Sequence, residues 1–121
     1  MPDIDTIQRI CGQLDRGEID NPQFLEAFTR EVARLIGCAR AGVWVFFDSA
    51  EGRALRCAAL YDDRHGRMSG AADMFPAEFA PYFDMLKRDQ CVVASDARSH
   101  PATVGFMDSY LLPMDVRSMM D

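Results

Sequence analysis

The segment AGVWVFF, Ala41 to Phe47, limits what this chain can fold into more than any other stretch. It carries no charge, and its large side chains alternate, Val43, Val45 and Phe47 on one face and Trp44 and Phe46 on the other. Such a run, rich in β-branched and aromatic residues and apolar on both faces, is expected of a strand covered on both sides. It should therefore be a central strand, with Val45 and Phe46 both buried on opposite faces because neighbours in a strand point apart.

The flanking residues place this strand in a larger order. SAEGR supplies turn residues and ALRCAALYD a second run, so strands near 42–49 and 54–62 are expected to pair as an antiparallel hairpin. Upstream, Ile4, Ile7, Ile10, Cys11 and Leu14 recur at helical spacing within residues 1–17, with Asp3 as N-cap and Gly17 as stop. A second helix follows, capped by Asn21 with Pro22 in its first turn; Leu25, Phe28, Val32, Leu35 and Ile36 form its apolar stripe and Gly37 ends it. Downstream, DRHGRMSGAADM lacks apolar periodicity and contains Gly66 and Gly70, which predicts a mobile loop. FPAEFAPYFDMLKRD predicts a helix with basic residues at its end, and CVVASD a short third strand. The segment SHPATVGFMDSYLLPMD predicts a helix opened by Pro101 and ended near Pro113, and VRSMMD the start of a fourth strand. The fold class this order implies is α+β, an antiparallel sheet flanked by helices, in a single domain over residues 1–121.

Charge and composition narrow the partners. With 19 acidic against 13 basic residues and no basic run, a nucleic-acid partner is not expected. No stretch is long and apolar enough for a membrane span, and the first residues lack the basic n-region of a signal peptide, which predicts a cytoplasmic domain with no membrane partner. Cys11, Cys38, Cys57 and Cys91 are scattered without a C-x-x-C, a pattern of buried small hydrophobes; no metal or other cofactor is implied.

Few residues suggest chemistry. His65 and His100 have no ligand-spaced companions and read as loop histidines, with haem ligation as the alternative. Ser95, Asp96 and His100 have the residue types of a hydrolase triad but no nucleophile elbow accompanies them, and Asp96 reads better as a residue that turns the chain by bonding backbone N–H groups. The aromatics Trp44, Tyr61, Phe79, Tyr82, Phe83 and Tyr110 could form core or line a small-molecule pocket. Burial explains Phe83 and Trp44, whereas Tyr61, Tyr82 and Tyr110 need partners for their hydroxyls and are the candidate pocket rims.

The order of elements, with GVWVFFD, LRCAALYD and the segment from Tyr82 to Asp121, resembles the GAF domains, cytoplasmic sensor modules of bacterial signalling proteins. The resemblance implies a GAF/PAS-like sheet flanked by helices and a non-catalytic sensor that binds a small ligand, with Asp96 and the six aromatics as candidate contacts. It also implies an attached output domain, a diguanylate cyclase or histidine kinase. The Asn-Lys-Phe signature of cyclic-nucleotide binders and the Asp-Ile-Pro of bilin binders are absent. Two alternatives stay open: a dimerisation module that takes no ligand, and a free methionine sulfoxide reductase using Cys57 and Cys91. In a GAF arrangement the strand beginning at Val116 pairs with the strand at Cys91 and also with a later strand, which this chain lacks. The fold is thus expected to be incomplete at its C-terminus, with unpaired sheet edges beside apolar surface and self-association as a homodimer to cover them.

Overall fold

The computed structural model describes residues 4–64 and 66–121, and its architecture is mixed α+β. The expected roles of Asp3 and His65 lie outside the described residues. Helix α1, Ile4–Asp15, is followed by a turn at Gly17, whose φ of 72° suits glycine, and by helix α2, Asn21–Ile36. The N-cap of α2 is Asp20 and not Asn21. Asp20 Oδ1 accepts from Gln23 N at 2.8 Å while Gln23 Oε1 accepts from Asp20 N at 2.9 Å, a reciprocal box that satisfies two otherwise orphaned donors. Gly37 closes the helix in the left-handed region, its N–H bonded to Ala33 O.

Helices α1 and α2 pack together, and the buried positions of α2 are Thr29 and Ala33. Leu35 and Ile36, expected in the apolar stripe, are exposed at the last turn. The Thr29 hydroxyl bonds back to Leu25 O at 2.7 Å and reaches Met68 Sδ at 3.8 Å, so this buried position of α2 faces the strand that carries Met68.

Strands β1, Arg40–Ser49, and β2, Gly52–Asp62, form the expected hairpin, joined by Ala50 and Glu51. A third strand, β3, Arg67–Ser69, pairs antiparallel with β2, Tyr61 opposite Met68. It occupies part of the segment expected to be a loop; three residues are too few to show a period of two. The order β1-β2-β3 makes β1 an edge strand, not the central one. Val45 and Phe46 are 47% and 49% exposed, not buried. Side-chain alternation reports what lies above and below a strand and says nothing about its flank, and here α2 meets the sheet at Met68 of β3. Gly42 belongs in β1 because a Cβ there would stand 3.1 Å from Ala59 O and 3.3 Å from Trp44 Nε1.

Helix α3, Ala80–Asp89, starts after a turn at residues 76–78 and ends with Lys87 and Arg88 facing the negative end of its dipole. Strands β4, Val93–Ala94, and β5, Met119–Met120, pair antiparallel, Val93 opposite Met120, and reciprocal bonds of 2.8 Å between Val92 and Asp121 extend the ladder. The last strand therefore begins at Met119 and not Val116. The expected helix after Pro101 is instead a turn, a 3-10 segment at Val104–Phe106 and a π turn at Met107–Leu111. Side-chain and wide-ring bonds replace the α ladder here, with Thr103 Oγ1 donating to Ala97 O at 2.7 Å and Leu112 N to Met107 O at 3.0 Å.

The chain resolves into two compact units, one of Met1–Phe47 with Leu55–Asp73, the other of Asp48–Ala54 with Met74–Asp121.

Candidate functional site

The seven candidate ligand contacts divide between the two units: Trp44 and Tyr61 fall in the first, and Phe79, Tyr82, Phe83, Asp96 and Tyr110 in the second. In the second, two of them, Phe79 and Tyr82, converge on a residue the sequence did not single out, Phe106. Its ring centroid is 4.6 Å from Phe79 and 5.0 Å from Tyr82, nearly perpendicular to the latter, and Tyr82 in turn meets Phe83 edge-on at 5.9 Å. Phe106 and Tyr82 are both buried, and rings at these separations fill the space between them. No apolar periodicity surrounds Phe106, which sits in the 3-10 turn, and this hid it.

Two of the three hydroxyls expected to mark pocket rims, those of Tyr61 and Tyr82, are satisfied within the protein. Tyr61 is buried and donates to Asp63 Oδ1 at 3.2 Å. Tyr82 donates to Asp121 Oδ2 at 3.0 Å. Burial, reinforced by the neighbouring Asp121 charge and that hydrogen bond, pushes the Tyr82 phenol far above its ordinary pKa, so it stays a donor. Loss of water raises the pKa of the Asp121 carboxyl as well, and the bond from Tyr82 only partly opposes this. Tyr61 and Tyr82 are therefore buried core residues with bonded tips and not rim groups. Tyr110 and Trp44 are partly buried.

Asp96 turns the chain as expected, but through its backbone: Asp96 O accepts from Ser99 N at 3.3 Å and His100 N at 3.0 Å, and its side chain is exposed. His100 Nδ1 accepts from Ala102 N at 3.0 Å. A triad histidine must donate from Nδ1 to its carboxylate, so this bond fixes the wrong tautomer for a base partnered by Asp96. Cys57 is partly buried, and burial pushes its thiol pKa up against smaller opposing bonds from Ala71 and Ala59. That lowers its thiolate fraction and weighs against a nucleophilic role.

Two polar constellations went unread in the sequence. In the first unit, Arg40 Nε lies 3.3 Å from Asp62 Oδ2, with side chains only 8% and 5% exposed. Asp62 Oδ1 also accepts from Arg64 N at 3.0 Å, while Arg40 Nε and Nη2 are buried without a hydrogen-bond acceptor in good geometry. In the second unit, Arg98 donates through Nε to Val116 O at 3.1 Å and through Nη2 to Leu111 O at 3.4 Å and Asp115 Oδ1 at 3.0 Å. It ties the turn after β4 to the chain that leads into β5. Both arginines find partners far along the sequence, which no local pattern announces.

An open groove of about 560 Å³ lies at the C-terminal end of α2, lined by Ala33, Arg34, Gly37, Cys38, Ala39 and Asp63. None of the seven candidates lines it. Among the described residues no cluster of His, Cys, Asp or Glu has metal-binding geometry, and no helix is long and apolar enough to cross a membrane. No family model, characterised protein or solved structure matches the chain.

Proposed function

We propose that this chain is a non-catalytic regulatory domain of GAF-like organisation, a cytoplasmic sensor that responds to a small ligand or relays a signal to an attached output domain such as a diguanylate cyclase or histidine kinase. The observation that carries the reading is the antiparallel pairing of Val93–Ala94 with Met119–Met120. This long-range contact is the one a GAF-like order requires between these two segments, and together with two leading helices and an antiparallel hairpin it gives the reading its support. Function of this kind demands a ligand with different affinities for two conformations. Native mass spectrometry of the purified chain, followed by melting against a metabolite panel, tests it. A ligand at a hundredfold its Kd should stabilise the fold by about 2.7 kcal/mol. No bound species and no melting shift across the panel would remove the ligand half of the reading.

A second reading, a dimerisation module without a ligand, draws on the burial of Tyr61 and Tyr82 with their hydroxyls already bonded. Two of the residues proposed to greet a ligand are thereby committed to the core. Concentration-dependent association with no ligand response would favour it.

A further inference from the structure

We propose that the open groove at the C-terminal end of α2 is a binding site, and that its ligand is a small zwitterion, an α-amino acid or dipeptide, with its carboxylate on Arg34 and its ammonium on Asp63. The site rests on the ligand half of the regulatory reading, but a ligand bound elsewhere would refute the site and leave that reading standing.

Local bonds build the groove. Gly37 N and Cys38 N both donate to Ala33 O, at 2.9 and 3.0 Å, which closes α2 and brings Ala33, Gly37 and Cys38 together at its end. Asp63 N donates to Ala39 O at 2.8 Å and so sets Asp63 beside the chain that leaves the helix. Small residues keep the space open: a Cβ added at Gly37 would meet no atom within 4 Å, and Ala33 and Ala39 each carry only a methyl group. The resulting volume of about 560 Å³ falls within the range of about 300–1,000 Å³ usual for ligand sites.

The charges select the ligand. Among the described residues that line the groove, only Arg34 and Asp63 are charged, with opposite signs, and each is held on its own side by a neighbour and not by the other. Arg34 Nη1 lies 3.4 Å from Glu31 Oε1, a single contact that leaves the rest of the fork of this side chain, 48% exposed, to meet another carboxylate. Asp63 Oδ1 accepts from the Tyr61 hydroxyl at 3.2 Å, which leaves the second carboxylate oxygen for another donor. The end of α2 is negative as well, so the groove beside Gly37 favours an ammonium over an anion. A simple cation leaves Arg34 unanswered, and a simple anion is repelled by Asp63 and the helix end. A molecule that carries both charges satisfies both walls.

Melting of the intact chain against each standard α-amino acid and a set of dipeptides, at millimolar concentrations, should show a rise in Tm with at least one of them, and the set that responds tells amino acid from dipeptide. The N-acetyl and amide derivatives of that compound, which lack the ammonium and the carboxylate respectively, should bind about tenfold more weakly or worse. Asp63→Asn and Arg34→Gln, both at exposed positions, should retain cooperative melting and weaken the parent compound comparably. The losses should be matched: Arg34→Gln costs nothing against the amide, and Asp63→Asn nothing against the N-acetyl derivative. Alkylation by iodoacetamide, resolved by cysteine in mass spectrometry, locates the compound. When bound it should slow reaction at Cys38, which lines the groove, severalfold and leave the exposed Cys91 unchanged. No response to any amino acid or dipeptide overturns the proposal, whatever other metabolites do. A response with Cys38 unprotected, or with affinity indifferent to either substitution, places the ligand elsewhere and overturns the site while the regulatory reading stands.

Discussion

Helix α2 carries most of its instructions within its own sequence, whereas the stretch from Ser95 to Ser118 carries few. Asp20 and Gln23 cap each other, Pro22 stands in the first turn, and Gly37 ends the helix, all within a segment that would read the same in any protein. Between Ser95 and Ser118 the shape comes from contacts between distant residues: Arg98 bonds to Leu111, Asp115 and Val116, Thr103 to Ala97, and Leu111 is fully buried. The lesson is that local coding produces regular helix, while segments held by side chain to backbone bonds settle into 3-10 and π geometry. Substitutions in the two kinds of region should therefore differ in cost.

The largest effect is expected where the first unit departs from local coding. Asp62→Ala would leave the Arg40 guanidinium buried with no counter-charge, at a cost of about 3–5 kcal/mol in chemical denaturation. A loss below about 1 kcal/mol would mean that Arg40 escapes to solvent, and that the pair is not what holds the open end of the hairpin. The companion change in the second unit is Arg98→Met, which keeps the stem and removes the bonds to Val116 O and Asp115. A charged donor to a carbonyl contributes about 1.5–3 kcal/mol, so a loss near 2 kcal/mol is expected, together with faster amide exchange at Met119 and Met120. Unchanged exchange there would show that β4 and β5 pair without the clamp. For α2, Asp20→Ala should cost only about 1 kcal/mol, because one cap bond is lost and the rest of the helix keeps its ladder. A cost as large as that of Asp62→Ala would dissolve the contrast between the regions.

The same contrast explains what could be read in advance. The two leading helices and the hairpin were legible, because glycine stops, apolar periodicity and turn residues are local marks; the pairing of the Cys91 and Val116 segments was expected only from the resemblance to GAF domains. The cap of α2 was misplaced by one residue because Asp20 and Asn21 are both good caps, and only the Gln23 bond chooses between them. The exposure of Val45 and Phe46 was not legible: apolar residues on both faces fit a covered strand equally well, and nothing in a strand's own pattern says whether it is first or second in a sheet. Of the candidate site, Phe79 and Tyr82 do gather around a Phe106 that was missed, with Phe83 edge-on to Tyr82. Two of the tyrosine hydroxyls that suggested a pocket, those of Tyr61 and Tyr82, instead found Asp63 and Asp121. Such partners are invisible without the fold, since Tyr82 and Asp121 are brought together only by α3 and the end of β5.

That last pair gives the smallest and most specific test. Asp121 is exposed as a residue, but its carboxyl sits against the buried Tyr82, and the partial loss of water there puts its pKa above the ordinary 3.8 despite the hydrogen bond it accepts. A carboxyl whose folded pKa exceeds its unfolded one binds its proton more tightly when folded, so its ionisation opposes folding. The penalty is complete above the folded pKa, shrinks as pH falls through that value, and vanishes below the unfolded pKa. Asp121→Asn keeps an oxygen to accept the Tyr82 bond and carries no charge at any pH. The variant should thus be slightly more stable than the parent at neutral pH, and the difference should close as the solution is acidified toward pH 3.8. Parallel stability curves, with a gap that does not depend on pH, would show that the Asp121 carboxylate remains hydrated. The Tyr82 bond would then be a surface contact at the close of the β4–β5 pair, and the aromatic cluster of the second unit would owe nothing to it.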